Sequence, residues 1–365
     1  MRKQISFFFL FIFMLKVVVA QIGGNYAYNF MDYKFSARLA GLGGGLIAVH
    51  NNDPSLLSYN PSLIAPKFHT SLSVNAVDYF NSTGYASALY SHTFNKIGSY
   101  ALEVRYVGYG DFVRTDEAGY EQGNFSCHDA GITLGWGRPL DSCFSIGANL
   151  KLMFSGYESY SSFGLAVDVA GSYYNKKNNI SLAFLVKNIG GELKSFVPGE
   201  HRWAPFDFQF AFSQRFKFLP VRYHISLHSL YKWKMGYVGE EDPLLEKDVM
   251  TGKPKLPSKF NQGVNNFFRH ITFGLEIMPA KSLSLFLSYN HNRNREMYIS
   301  QKKTMAGFSY GFLIDIKSVQ FGFSREHYAV GATPNFFTLS LNINELSKAS
   351  ALKKQKKLER VLITN

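Results

Sequence analysis

From His69 to Asn344 apolar and polar residues alternate in about fourteen short runs, and the gaps between the runs alternate between short and long. In the run starting at Cys143, Phe144, Ile146, Ala148, Leu150, Leu152 and Phe154 fall on one face of a strand. Ser145, Gly147, Asn149 and Lys151 fall on the other, because successive side chains point to opposite sides. The runs Phe206 to Phe216 and Phe337 to Asn344 repeat the pattern. It predicts strands over 69–79, 84–94, 98–108, 127–137, 143–153, 162–173, 178–188, 205–216, 221–233, 268–278, 282–291, 304–314, 318–327 and 335–343.

Most of these have about ten residues, the length of a tilted strand crossing a bilayer. The connections Asn95–Ile97, Arg138–Ser142, Tyr174–Lys177, Lys217–Pro220, Pro279–Lys281 and Asp315–Lys317 are brief and rich in turn residues. Those at the opposite ends include Tyr109–Ser126, Ile189–Ala204, Lys234–Phe267 and Asn292–Lys303. Tight turns on one rim and long loops on the other are the asymmetry of outer-membrane barrels. The expected fold is therefore an all-β, antiparallel outer-membrane β-barrel, with termini periplasmic and long loops extracellular. A soluble sandwich would show the same alternation, with the apolar face turned toward a core. Aromatic residues at the strand ends, Tyr79, Phe94, Trp136, Tyr173, Tyr231, Trp233 and Tyr289, favour interfacial girdles.

Residues 1–20 read as a secretory signal: Arg2 and Lys3, an apolar stretch from Ile5 to Leu15, then Val18-Val19-Ala20. The formal charge is +13, three units of which belong to Arg2, Lys3 and Lys16. The balance is no nucleic-acid signature. Its clearest cluster is in 344–365, a basic periplasmic tail carrying Lys348, Lys353, Lys354, Lys356, Lys357 and Arg360, with the spacing of an amphipathic helix. Cys127 and Cys143 open successive antiparallel strands, which sets them roughly 30 Å apart, beyond disulfide reach.

Catalytic constellations are weak. His224, Ser226 and His228 share one strand face, but alternate residues lie about 7 Å apart, too far for a nucleophile and its base. They read as lumen lining. Glu103, Arg105, Lys151, Asp168, Lys187, Asp207, Arg215 and Glu276 fall on polar faces and are expected to pair across the interior. Neither HExxH nor GxSxG occurs, and no cofactor or metal is expected.

Residues 21–68 do not alternate. Asp53-Pro54 and Asn60-Pro61 each set a capping side chain before a proline, predicting two short helical turns. The expected place for this segment, ahead of 69–343, is inside the barrel as a plug. Ser36, Ala37, Arg38, Gly41, Gly43 and Gly44, followed by Asp53, Asn60 and Pro61, resemble the N-terminal hatch of FadL-like outer-membrane proteins. Asn52 stands where that hatch usually has a first Asp. The lead-in Gly23-Gly24-Asn25-Tyr26 is similar, within that group, to the PorV/PorQ family of the type IX secretion system, and to its PorQ branch in particular. The resemblance implies a non-catalytic anchor that holds a PorZ-like surface partner beside PorU and PorV, where cargo is joined to lipopolysaccharide. The candidate docking loop is the longest, with Glu240, Glu241 and Asp242 in an acidic half and Lys253 and Lys255 in a basic half. A FadL-like transporter of hydrophobic small molecules is the alternative, and an open diffusion pore a third reading.

Overall fold

The computed structural model describes residues 26–45, 48–50, 52–80, 82–94, 96–236, 257–299 and 304–346. The signal, the tail from 347 onward and the docking-loop residues Glu240, Glu241, Asp242, Lys253 and Lys255 lie outside them.

Fourteen antiparallel strands form one closed ring in which each pairs with its chain neighbours and β1 (Ser71–Asp78) seals against β14 (Asn335–Asn342). Between these run β2 (Gly84–Phe94), β3 (Gly98–Thr115), β4 (Glu121–Pro139), β5 (Phe144–Tyr157), β6 (Tyr160–Asn175) and β7 (Ile180–Lys194). They continue as β8 (Asp207–Arg215), β9 (Val221–Leu227), β10 (Ile271–Ala280), β11 (Leu283–Asn290), β12 (Phe308–Ile316) and β13 (Val319–Glu326).

The alternation faces the way a membrane barrel requires. Leu102, Val104 and Tyr106 of β3 are exposed, whereas Glu103 and Arg105 between them are buried. On β5 Leu150 is exposed and Asn149 and Lys151 are buried. A soluble barrel would reverse this, because exposed apolar surface on such a scale needs an apolar medium. The polar side chains instead look into the ring, where they find each other and the segment 26–68.

That segment is short helical turns joined by extended chain. Ser36 caps helix α1 (Ala37–Gly41), accepting from Leu39 N. Gly43 N and Gly44 N then donate to Ala40 O and Leu39 O, the 5→2 and 6→1 closure that ends a helix with a left-handed residue, and Gly43 has φ +89°. The predicted turns appear as 3-10 helices at Pro54–Leu56 and Pro61–Leu63, capped by Asp53 and Asn60. Two more, at Asn29–Asp32 and Pro66–Phe68, were not predicted.

Several boundaries differ from expectation. The stretch 109–126 is not a loop: β3 and β4 run on to a turn at 116–120, pairing Phe112 with Phe125. Both faces are solvated there, so the contrast that reveals a strand vanishes. Likewise β7 continues to Lys194. Strand β9 stops at Leu227 rather than at 233, because the chain turns at Ser229, whose φ is +56° and whose N–H goes to Asp207. Residues expected to open the tenth strand, and some of the loop before it, form helix α2 (Lys259–Arg269), capped by Ser258. Helix α3 (His291–Glu296) occupies part of the next loop, and β12 starts at Phe308 rather than at 304 because a turn closed by Phe308 N on Met305 O, with Gly307 at φ +90°, precedes it.

Candidate functional site in the barrel lumen

The segment 26–68 is held to the wall by charge. Its described charged residues are few, and most meet an opposite charge, on the wall or within the segment. Asp32 pairs with Lys187 of β7 at 2.6 Å, and Lys34 with Glu326 of β13 at 2.7 Å. Arg38 donates to Glu276 Oε1 of β10 at 2.5 Å and lies 3.9 Å from Asp53. Glu276 Oε2 accepts from Arg222 of β9 at 2.8 Å, and His224 stands 3.8 Å away. Buried charges are tolerated only when paired in this way, since an isolated one costs several kcal/mol in lost hydration.

A second cluster is centred on Arg105. Its guanidinium donates to Glu103 at 2.6 Å and to Ser58 Oγ at 3.2 Å, and stacks between Phe35 and Tyr59 with centroid distances of 5.2 and 4.6 Å. Beside it Lys151 reaches Asp168 at 2.6 Å and Asn188 at 2.8 Å, while Asn149 donates to Ser58 O at 2.9 Å.

Main-chain contacts fix α1. Ala37 N donates to Thr338 Oγ1 at 2.8 Å, and Ser324 Oγ donates to Ala37 O at 2.6 Å. Gly41 is needed for fit: a Cβ there would stand 2.6 Å from Ser324 Oγ and 2.9 Å from the Phe286 ring. Ser36 Oγ and Ser55 Oγ meet at 2.7 Å, tying the first turn to the second. Asn60 Oδ1 takes Ser62 N at 3.2 Å, and the Pro61 carbonyl lies where Gly137 of β4 has no side chain.

The residues of the hatch motif thus converge in one buried unit. Of the wall residues expected to pair, Glu103, Arg105, Lys151, Asp168, Lys187 and Glu276 do so. Asp207 is bound instead by Gln209 and the Ser229 amide, and Arg215 is exposed at the end of β8, outside the network. His224 and Ser226 are buried on the inner face. Cys127 pairs across from Tyr157, at the far end of β5 from Cys143. The sequence reading missed Asp32, Lys34, Ser58 and Glu326. A signal for the first two was available, since a charge in a segment so poor in charge asks for a partner.

Between segment and wall lies a cavity of about 230 Å³, lined among others by Asp32, Lys34, Arg105, Lys151, Asp168 and Lys187. It is polar and ionic. Among the described residues no group of three or more His, Cys, Asp or Glu is placed to hold a metal ion.

No family model and no curated protein matches the chain. Solved structures do. The toluene transporter TodX of P. putida superposes with a TM-score of 0.51 at 10% identity, covering 84% of this chain and 98% of the transporter. A FadL homologue of Pseudomonas aeruginosa gives a TM-score of 0.43 at 10% identity, covering 81% and 95%. The fold is a closed, fourteen-stranded antiparallel barrel like that of the toluene transporter. At that identity the likeness says nothing finer.

Proposed function

We propose that the chain is an outer-membrane barrel, corked by the segment described from residue 26 to 68, that serves as a non-catalytic anchor for a secretion and attachment complex. Its termini and tight turns face the periplasm and its long loops the outside, where a PorZ-like partner docks near PorU- and PorV-like subunits. The single observation behind this reading is the ionic clamp on the segment 26–68, with Arg38 between Glu276 and Asp53 and Arg105 under Ser58. A gate that must yield to each passing molecule gains nothing from buried salt bridges, because breaking one strands a charge at a cost of about 3–5 kcal/mol. A permanent cork does gain. The PorQ-like motif supplies the identity of the complex.

The transporter reading is favoured by one finding, the likeness of the fold to the toluene transporter. It needs an apolar path, whereas charged side chains such as Asp32, Lys34, Arg105, Lys151, Asp168 and Lys187 stand among the few apolar ones lining the cavity beside the segment. Affinity isolation of the tagged protein from outer membranes separates the two. Recovery of surface proteins without a bound hydrophobe supports the anchor; a co-purifying fatty acid or aromatic compound with no protein partner reverses the order. Excision of 240–256 is expected to abolish partner recovery while leaving a heat-modifiable barrel.

A further inference from the structure

Helix α2 is built inside out. Its protein-facing side is polar: Asn266 and Arg269 are buried, Gln262 donates to Pro257 O at 2.9 Å, and Arg269 donates to Asn292 Oδ1 at 3.3 Å. Its outward side is apolar. Phe260 is 78% exposed, Val264 39%, Phe267 47% and Phe268 40%. Positions four, seven and eight after the first lie within one stripe of a helix at 3.6 residues per turn. A loop helix bathed in water would carry these residues the other way round, since each exposed Phe forgoes about 1.5–3 kcal/mol of burial.

We propose that α2 is an interfacial helix, seated with Phe260, Val264, Phe267 and Phe268 in the outer leaflet of the membrane. This rests on the outer-membrane reading above. What selects lipid as the occupant is continuity with the wall. The helix runs without a linker into β10, whose Phe273 faces outward. From Phe268 a chain of rings descends: His291 at 6.0 Å, Tyr289 at 6.1 Å from His291, and Phe308 at 4.8 Å from Tyr289. Tyr289 and Phe308 border a groove of about 330 Å³ in the outer wall, closed by Tyr223, Ile225, Phe273 and Leu287. One apolar surface therefore extends from the wall, over the rim and along the helix. Exposed Lys259 and Arg295, on α2 and α3, are placed to meet the anionic groups of the leaflet. A helix held in this way sinks about 5–10 Å into the boundary between headgroups and acyl chains.

The test uses the full chain with Cys127→Ser and Cys143→Ser, carrying an environment-sensitive fluorophore on Val264→Cys or, in a parallel sample, on Leu287→Cys of the wall. Both are reconstituted in phosphatidylcholine vesicles doped with doxyl-labelled lipid, and heat-modifiability confirms that each barrel is folded. The expected result is a blue shift and loss of most emission at both positions. At 264 a quencher near the top of the acyl chain acts more strongly than one near its end. Quenching at 287 but not at 264 overturns the interfacial helix and leaves the barrel standing, with a partner protein then the cover for the Phe face. Absence of quenching at both overturns the membrane barrel and the helix assignment with it.

Discussion

Glu276 has no access to water, and its two carboxylate oxygens are taken from opposite directions, by Arg38 of the N-terminal segment and by Arg222 of the neighbouring strand. Removing it leaves Arg222 without its carboxylate and Arg38 with only Asp53, 3.9 Å away, whereas removing Arg38 leaves Glu276 still paired with Arg222. Glu276→Ala is therefore expected to destabilise by about 3–5 kcal/mol and Arg38→Met by distinctly less, read as urea midpoints of the refolded barrel. Gly41→Val should cost about 1–3 kcal/mol by forcing α1 off Ser324 and Phe286. His50 gives a pH dependence. It stacks on Tyr174 at 4.6 Å, its Nε2 is buried without a partner, and burial depresses its pKa to about 4. A depressed imidazole favours folding while neutral, so its contribution is whole above the ordinary His pKa and is lost as pH falls from about 6.5 toward about 4. His50→Phe keeps the stacking and should flatten that part of the pH profile of the unfolding midpoint. That Glu276 and Arg105 face inward is legible from counting along a strand. Which segment residue each one meets is not, because that depends on the register of strands far apart in sequence.

The elements follow the same division. Strands with one wet and one greasy face are visible from period two, which is why β5 and β13 fall within a few residues of their predicted ends. Where the chain runs beyond the apolar belt both faces are solvated, and the far part of the β3–β4 hairpin disappears into what looks like a loop. Helix α2 was hidden differently, since its Phe spacing was legible but its face points away from the protein. The exposed hairpin tip carries a stacked Phe112–Phe125 pair at 5.5 Å and meets the neighbouring hairpin through a half-exposed Arg114–Glu158 ion pair, of the kind worth little in water. Replacing 112–124 by a two-residue turn is expected to leave the thermal midpoint of heat-modifiability unchanged within the roughly 0.5 kcal/mol typical of surface changes.

For the molecule as a whole, the fourteen-strand ladder closes without a strand from the segment 26–68: every strand is flanked on both sides by another strand of the ring. Deleting 26–68 should therefore give a barrel that inserts into planar bilayers and conducts ions, where the intact protein conducts far less. Equal conductance of the two would show that the segment does not obstruct the lumen. The order of the chain adds a constraint on assembly. The amide and carbonyl of Ala37 are bound by Thr338 of β14 and Ser324 of β13, while β14 is also the strand that seals against β1. The residues that dock the beginning of the chain are thus synthesised near its end. A chain cut short before β13 would leave both main-chain groups of Ala37 without these partners, so the anchorage of the first helix is expected to come with the final hairpin.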